Sequence, residues 1–188
     1  MKSLILTSML LLSLCHVALA INLPNLTDNE NNALKNYSTS SYTIVNPCLR
    51  SGECNPHNNE EYIKEQIKLI QSALLKMKRS EFVTTYRGTA GIPDEKMAII
   101  ESSTQSAVKV DDGFMSSSSS RSTAERIRNE LGYVFDDPVL FIISSKSCVD
   151  ISTISSFPSE EEYLCPAGLM FYVRQDSTNK NIYYLEEQ

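Results

Sequence analysis

The chain has 188 residues, a formal net charge of −6 and 41% hydrophobic residues. That length supports one compact domain with a real core. The acidic balance excludes phosphate-backbone binding as its main task, so no nucleic acid is expected as a partner.

Met1 to Ala20 reads as a signal peptide. Lys2 supplies the positive start, Leu4 to Leu14 the apolar stretch, and Ala18-Leu19-Ala20 the A-x-A cleavage site. The apolar run is too short to span a bilayer. Cys15 follows Leu14 rather than a small residue, which argues against a bacterial lipoprotein site. No later run approaches transmembrane length, and the C-terminal NIYYLEEQ lacks the apolar tail of a GPI signal. The expected product is secreted, free of a membrane anchor, and monomeric.

Residues 21–59 are rich in Asn, Ser, Thr and Pro with little periodicity, and predict a loosely ordered polar arm ahead of a folded domain at 60–188. Asn25-Leu26-Thr27 and Asn36-Tyr37-Ser38 match the glycosylation sequon, which matters only in a eukaryotic source. Cys48, Cys54, Cys148 and Cys165 survive cleavage. An even count in an exported chain predicts two disulfides, with three possible connectivities. Sequential pairing, Cys48 with Cys54 and Cys148 with Cys165, closes the shortest loops and is preferred. A zinc site is the competing use of these cysteines, but there is no C-x-x-C pair and only one mature histidine, His57. No metal is expected. The scarcity of histidine also argues against a Ser/His or Cys/His hydrolase. Neither a Walker A motif nor G-x-G-x-x-G is present.

Ile63, Ile67, Ile70, Leu74 and Met77 recur every three or four residues and predict a helix opened by Asn59 and closed by Lys76, Lys78 and Arg79. EFVTTYRGTAG predicts a strand ending at glycines, and PDEKMAIIESS a short helix with Pro93 in its first turn. AVKVDDGFMSSSS predicts a strand pair turning at Asp112-Gly113. Ser122 to Glu125 reads as a capping box for the helix TAERIRNELGY. PVLFIISS, EYLCPAG, LMFYVRQ and NIYYLEE are four strand-like runs separated by Pro, Gly, Asp and Asn turns. Helices lead and strands follow, so the predicted class is α+β: a mostly antiparallel sheet with N-terminal helices.

Three local features carry chemistry. Arg87 ends a strand beside Gly88, where a guanidinium can hold a diphosphate in bidentate fashion; a rim salt bridge is the plainer reading. Ser116 to Ser120 follow Phe114-Met115, with too little room before the next helix for a flexible linker, so small hydroxyls can line a site there. In SSFPSEEEYLCP, Glu160 and Glu162 sit two apart. In an extended segment they face one side while Glu161 faces the other. Like charges that close repel unless solvent, a partner or a cationic substrate offsets them.

In this order, the three features resemble the arginine–serine–glutamate class of mono-ADP-ribosyltransferases. The family pattern is an arginine on a first strand (YRG), an S-T-S-like segment after an aromatic (FMSSS), and an E-x-E motif (EEEYLCPAG) leading into a strand. The likeness spans roughly Phe82 to Val173, and each motif is weak alone. Ser117 stands where the family has threonine, and the register favours Ser116 to Ser118. The resemblance implies NAD as co-substrate, bound by Arg87, Gly88, Ser116, Ser118 and Glu162. Arg87 is implied to clamp the phosphates, and Ser116 to steady the catalytic glutamate and the ribose. Glu162 is implied to stabilise positive charge on the ribose as nicotinamide leaves. Glu160 is implied to engage the nucleophile, and a glutamate there goes with arginine acceptors, whose guanidinium pairs with a carboxylate. Phe157 falls where the family's loop presents an aromatic to a target protein; a buried anchor is the equal alternative. The implied activity is arginine-directed transfer by a secreted, toxin-like enzyme. An NAD glycohydrolase, a catalytically inactive binding protein of the same fold, and a disulfide-stapled interaction protein with coincidental motifs are the alternatives.

Overall fold

A computed structural model describes residues 25–54, 59–103 and 106–188. The predicted signal peptide and His57 lie outside these residues. The chain runs through α1 (Asp28–Asn36), a π-helical turn (Tyr37–Ser41), α2 (Tyr42–Ser51) and α3 (Glu60–Met77), then enters the sheet. There follow β1 (Val83–Thr89), α4 (Asp94–Ser102), β2 (Val108–Lys109), β3 (Met115–Ser118), α5 (Arg121–Leu131), β4 (Val139–Ser145) and β5 (Val149–Asp150). The last strands are β6 (Glu162–Cys165), β7 (Met170–Gln175) and β8 (Ile182–Glu187), which complete an eight-stranded sheet in the order β2-β7-β8-β4-β1-β3-β6-β5. All pairs are antiparallel except β4 with β8. The α+β prediction holds.

The polar arm is a correction. Residues 28–51 are helical and belong to the core: Ala33, Leu34, Tyr37, Val45 and Cys48 are buried with Ile63, Ile70 and Leu74 of α3, with Phe114 just before β3, and with Leu164 of β6. Their spacing is helical, but the stripe is narrow and flanked by Asn, Ser and Thr, so composition masks it. Thr27 caps α1 in a full capping box with Glu30. Glu30 is itself buried and bonded by Lys76 and Ser72, which ties α1 to α3.

The hairpin at Asp112-Gly113 is a second correction. β2 pairs with β7 and β3 with β1 and β6, so the two segments reach opposite parts of the sheet. The acidic residues between them are held by side chains, Asp111 by Arg50 of α2, and Asp112 by Lys96 of α4 and Lys109 of β2. A third concerns α5, which starts two residues before the predicted helix. Ser120, not Ser122, caps it by accepting from the Thr123 N–H.

Alternation on β4 divides the packing. Leu140 and Ile142 join Ala124 of α5, whereas Val139, Phe141 and Ile143 enter a core shared with β7, β8 and α4. Gly88 faces α5 closely: a Cβ there would sit 2.0 Å from the Ala124 carbonyl oxygen. The two disulfides pair sequentially, Cys48 with Cys54 and Cys148 with Cys165. The second spans 17 residues around the glutamate loop, a closure worth about 3 kcal/mol in the chain-entropy account. Among the described residues no helix is long and apolar enough to cross a membrane.

Candidate active site

Three adjacent strands build the site. β1 carries Arg87, β3 the serines and β6 opens with Glu162. β3 and β6 pair so that Ser118 lies opposite Glu162 and Ser116 opposite Leu164, which puts these four on one face. Leu164 on that face packs against the N-terminal helices, so Glu162 is presented toward them. The space left open is a cleft of about 740 Å³ whose walls include Tyr37, Tyr42 and Asn46 on the helical side and Arg87, Ser116 and Glu162 on the sheet side.

Glu162 is 7% exposed. One carboxylate oxygen accepts from Ser116 Oγ at 2.8 Å and the other from Ser155 Oγ at 2.9 Å. Burial pushes its carboxyl above the ordinary value; the two serine bonds pull the other way, and Glu160 adds to the rise. Two neutral donors partly offset the cost of desolvating the charge, and among the described residues no salt bridge reaches it. A carboxylate kept in that condition is suited to meet positive charge arriving from outside.

Arg87 leans across the junction of β1 and β3, where Nη1 donates to the Ser116 carbonyl at 2.7 Å. Burial lowers its pKa, although Asp111 nearby supports the charge. A guanidinium has donors to spare after one such bond and remains ionised. Arg50 also borders the cleft, but Asp111 holds it by two bonds of 2.8 Å.

The serines divide the work. Ser116 holds Glu162. Ser117 is buried and donates to Thr85 at 3.0 Å, a structural bond between strands. Ser118 donates to the Glu160 carbonyl at 2.7 Å and accepts from the Ser120 N–H, so its hydroxyl fixes the glutamate loop. Ser119 bonds the Glu161 carboxylate. Ser118 and Gly88 were both expected to bind cofactor. Both border the smaller cavity beside Arg87, yet Ser118 is engaged by the loop and Gly88 admits α5.

The paired glutamates meet by a route other than strand alternation. Glu160 closes a 3₁₀ turn (Pro158–Glu160), Glu161 is left-handed at φ 47°, and only Glu162 is in the strand. Glu160 and Glu162 still border one cleft, and Glu161 is exposed. The reversal at Glu161, not a period of two, brings them together. Glu160 is half-exposed, with Arg126 Nη2 at 3.7 Å. Phe157, 48% exposed, stands on the cleft wall and donates its N–H to Ser155 Oγ at 3.1 Å.

Tyr37, Asn46 and Ser155 had no signal in sequence reasoning. Asn46 accepts from the Phe114 N–H at 3.0 Å and donates to its carbonyl at 3.1 Å, and Tyr37 donates to that carbonyl as well. Together they fix the backbone just before the serines. Burial raises the Tyr37 phenol to about 12, so it stays protonated.

Residues 18–187 match the family described as ADP-ribosyltransferase exoenzyme. Among solved structures, exoenzyme S from Pseudomonas aeruginosa, in complex with human 14-3-3 protein beta and carba-NAD, is 23% identical with a TM-score of 0.68, covering 86% of this chain and 74% of its own. The eucaryotic mono-ADP-ribosyltransferase ART2.2 is 24% identical with a TM-score of 0.65, over 86% of this chain and 66% of its own. The Vis ADP-ribosyltransferase of Vibrio splendidus, in complex with agmatine, is 23% identical with a TM-score of 0.66, over 89% and 77%. At these identities the likeness is one of fold. No curated protein matches the sequence.

Proposed function

The chain belongs to the ADP-ribosyltransferase exoenzyme family, and from that premise we propose that it transfers one ADP-ribose from NAD to arginine side chains of a protein. The observation that carries the proposal is the buried Glu162 carboxylate, held by Ser116 and Ser155 in a cleft that Arg87 and Glu160 also border. The residues present fit NAD: an ionised guanidinium with spare donors suits the diphosphate, and a desolvated carboxylate suits a sugar that becomes cationic. NAD supplies a leaving group that is already positively charged, so no general acid is required.

Glu162 accepts from the ribose 2′-hydroxyl and opposes the positive charge that grows at the anomeric carbon. Ser116 and Ser155 hold both its oxygens, so no reorganisation is needed as that charge develops. Arg87 holds the phosphates, its position set by the Ser116 carbonyl. Glu160 stands nearer solvent, where an incoming guanidinium can pair with it and be steered to the sugar. Phe157 offers an exposed ring beside it for the protein that bears the arginine. The Vis enzyme's complex with the guanidine agmatine supports a guanidinium acceptor, and ART2.2 variants in complex with NAD and NADH support the co-substrate.

Secretion is part of the proposal. It is supported by the Met1–Ala20 leader pattern and by two disulfides, which persist in oxidising compartments. The deciding experiment incubates the protein with labelled NAD and agmatine and follows nicotinamide and the adduct by mass spectrometry. Adduct formation in step with nicotinamide supports the transferase. Nicotinamide without adduct makes the protein a glycohydrolase, and neither product makes it a binding protein.

A further inference from the structure

Among the described residues, hydrogen bonds join the N-terminal helical wall of the cleft to the glutamate loop at one place. The π-helical turn after α1 presents Ser38 and Thr39 to Ser156, and both residues border the cleft. Ser38 Oγ donates to the Lys35 carbonyl at 2.9 Å and accepts from the Ser156 N–H at 3.1 Å. Thr39 Oγ1 donates to the same carbonyl at 3.0 Å and lies 2.8 Å from Ser156 Oγ. A hydroxyl has one hydrogen, and Thr39 gives its own to Lys35, so Ser156 is the donor in the last bond. The same turn carries Tyr37, whose hydroxyl donates to the Phe114 carbonyl ahead of the serines. On the loop, Ser156 stands between Ser155, which holds Glu162, and Phe157, which opens the 3₁₀ turn ending at Glu160. One turn of the helical wall is thus tied to both halves of the site, and π-helical turns recur at functional positions.

We propose that Ser38 and Thr39 are positioning residues which, through Ser156, set how ADP-ribose divides between a guanidinium acceptor and water. The inference rests on the transferase reading and deepens it. In both reactions the bond from the anomeric carbon to nicotinamide breaks, and its electron pair leaves with nicotinamide, which departs neutral. A guanidinium nitrogen or a water oxygen then bonds to that carbon, and one proton passes to solvent. Glu162 keeps its two serine bonds with the latch open or closed, so cleavage does not depend on it. Capture by a guanidinium does, because its nitrogen must be held in line with the carbon while Glu160 grips the group. Water attacks without being held. Ser118 fixes the Glu160 end of the loop through its carbonyl, and the latch fixes the Ser156 end. Thr39 and Ser156 are exposed, so the latch can open without unpacking the core. With it open, the 3₁₀ turn shifts, Glu160 presents the acceptor poorly, and water takes a larger share of the sugar.

The test compares the whole protein with Thr39→Val and Ser156→Ala, singly and together, each incubated with labelled NAD and agmatine. Adduct, free ADP-ribose and nicotinamide are measured. Thr39→Val keeps the side chain's shape and removes the acceptor, and Ser156→Ala removes the donor. Each is expected to lower the ratio of adduct to free ADP-ribose about three- to tenfold, through a higher KM for agmatine, with the KM for NAD within about twofold. The double variant falls no further than either single one, because both remove the same bond. Thr39→Ser, which keeps the hydroxyl, holds the parent ratio. An unmoved ratio in the single variants overturns the inference. So does an equal fall in adduct and free ADP-ribose, which would make the latch a support of the fold alone, or a double variant whose effect is the sum of the singles. A parent protein that forms no agmatine adduct removes the transferase reading, and this inference with it; a parent that transfers while the variants keep its ratio overturns the inference alone.

Discussion

Ser155 donates its hydroxyl to Glu162 at 2.9 Å from the far side of the loop that carries the other two glutamates. With Ser116 of β3 on the opposite oxygen, the carboxylate is clamped between a strand and the loop that follows β5. The same Ser155 oxygen accepts the Phe157 N–H, so one side chain sets both the buried glutamate and the start of the 3₁₀ turn that ends at Glu160.

Ser155→Ala is therefore expected to slow turnover about tenfold or more, the worth of one hydrogen bond to a charged group. Ser155 lowers the Glu162 pKa, so its loss raises that pKa further. The acid limb of the rate profile moves to higher pH. A rate loss with an unmoved acid limb would reduce Ser155 to a loop anchor.

Glu162→Gln is expected to abolish transfer and nicotinamide release, by about a hundredfold or more. Its effect on stability has the opposite sign. Burial raises the folded-state pKa, so the ionised carboxylate costs stability at neutral pH, and that cost is relieved as pH falls through the folded pKa. The neutral amide should leave the melting temperature at neutral pH unchanged or higher. A lower one would mean that the charge helps hold the fold together.

Glu160→Gln separates acceptor recognition from bond cleavage. The charge at Glu162 is untouched, so hydrolysis of NAD should continue at a substantial fraction of the parent rate while agmatine modification collapses. Water needs no bidentate partner, and a guanidinium does. Parallel loss of both activities would put Glu160 in the cleavage machinery.

The fold's acid sensitivity is expected to include Glu30. Lys76, Ser72 and Thr27 hold its carboxyl at about 2, below an ordinary value of 4.5. A depressed folded pKa gives stability that is present above the unfolded value and lost as pH falls toward 2. Denaturant titrations between those pH values should show a shallower decline for Glu30→Gln than for the parent, with Glu30→Gln already weaker at neutral pH. Identical slopes would assign the acid limb to other groups.

Gly88→Ala tests packing beside the site. Its Cβ would lie 2.0 Å from the Ala124 oxygen and 2.6 Å from the Arg128 nitrogen, both backbone atoms of α5. Neither can yield without lifting the helix, so a loss of about 3 kcal/mol or more is expected, or roughly 6–12 °C in melting temperature. A near-normal melting temperature would show that α5 is free to move.

The amino acids alone carry the local elements and the order of the motifs. The stripe from Ile63 to Met77 specifies α3, and the strand-like runs mark seven of the eight strands, all but β5, because periodicity and side-chain bulk act over a few residues. Arg87, the serines and Glu162 were legible as three motifs in a fixed order. Long-range packing supplies what no local signal carries. Tyr37 and Asn46 matter through their bonds to Phe114, more than sixty residues away, and Ser155 through a carboxylate it meets only because the loop folds back. The helices of residues 28–51 depend on burial against α3 and the sheet, since their polar composition gives a weak intrinsic drive. Glu160 and Glu162 share a cleft because Glu161 takes a left-handed conformation, which bonds from Ser118 and Ser119 help to hold. Spacing could say that two carboxylates lie close, but only long-range contacts could fix which way each one faces.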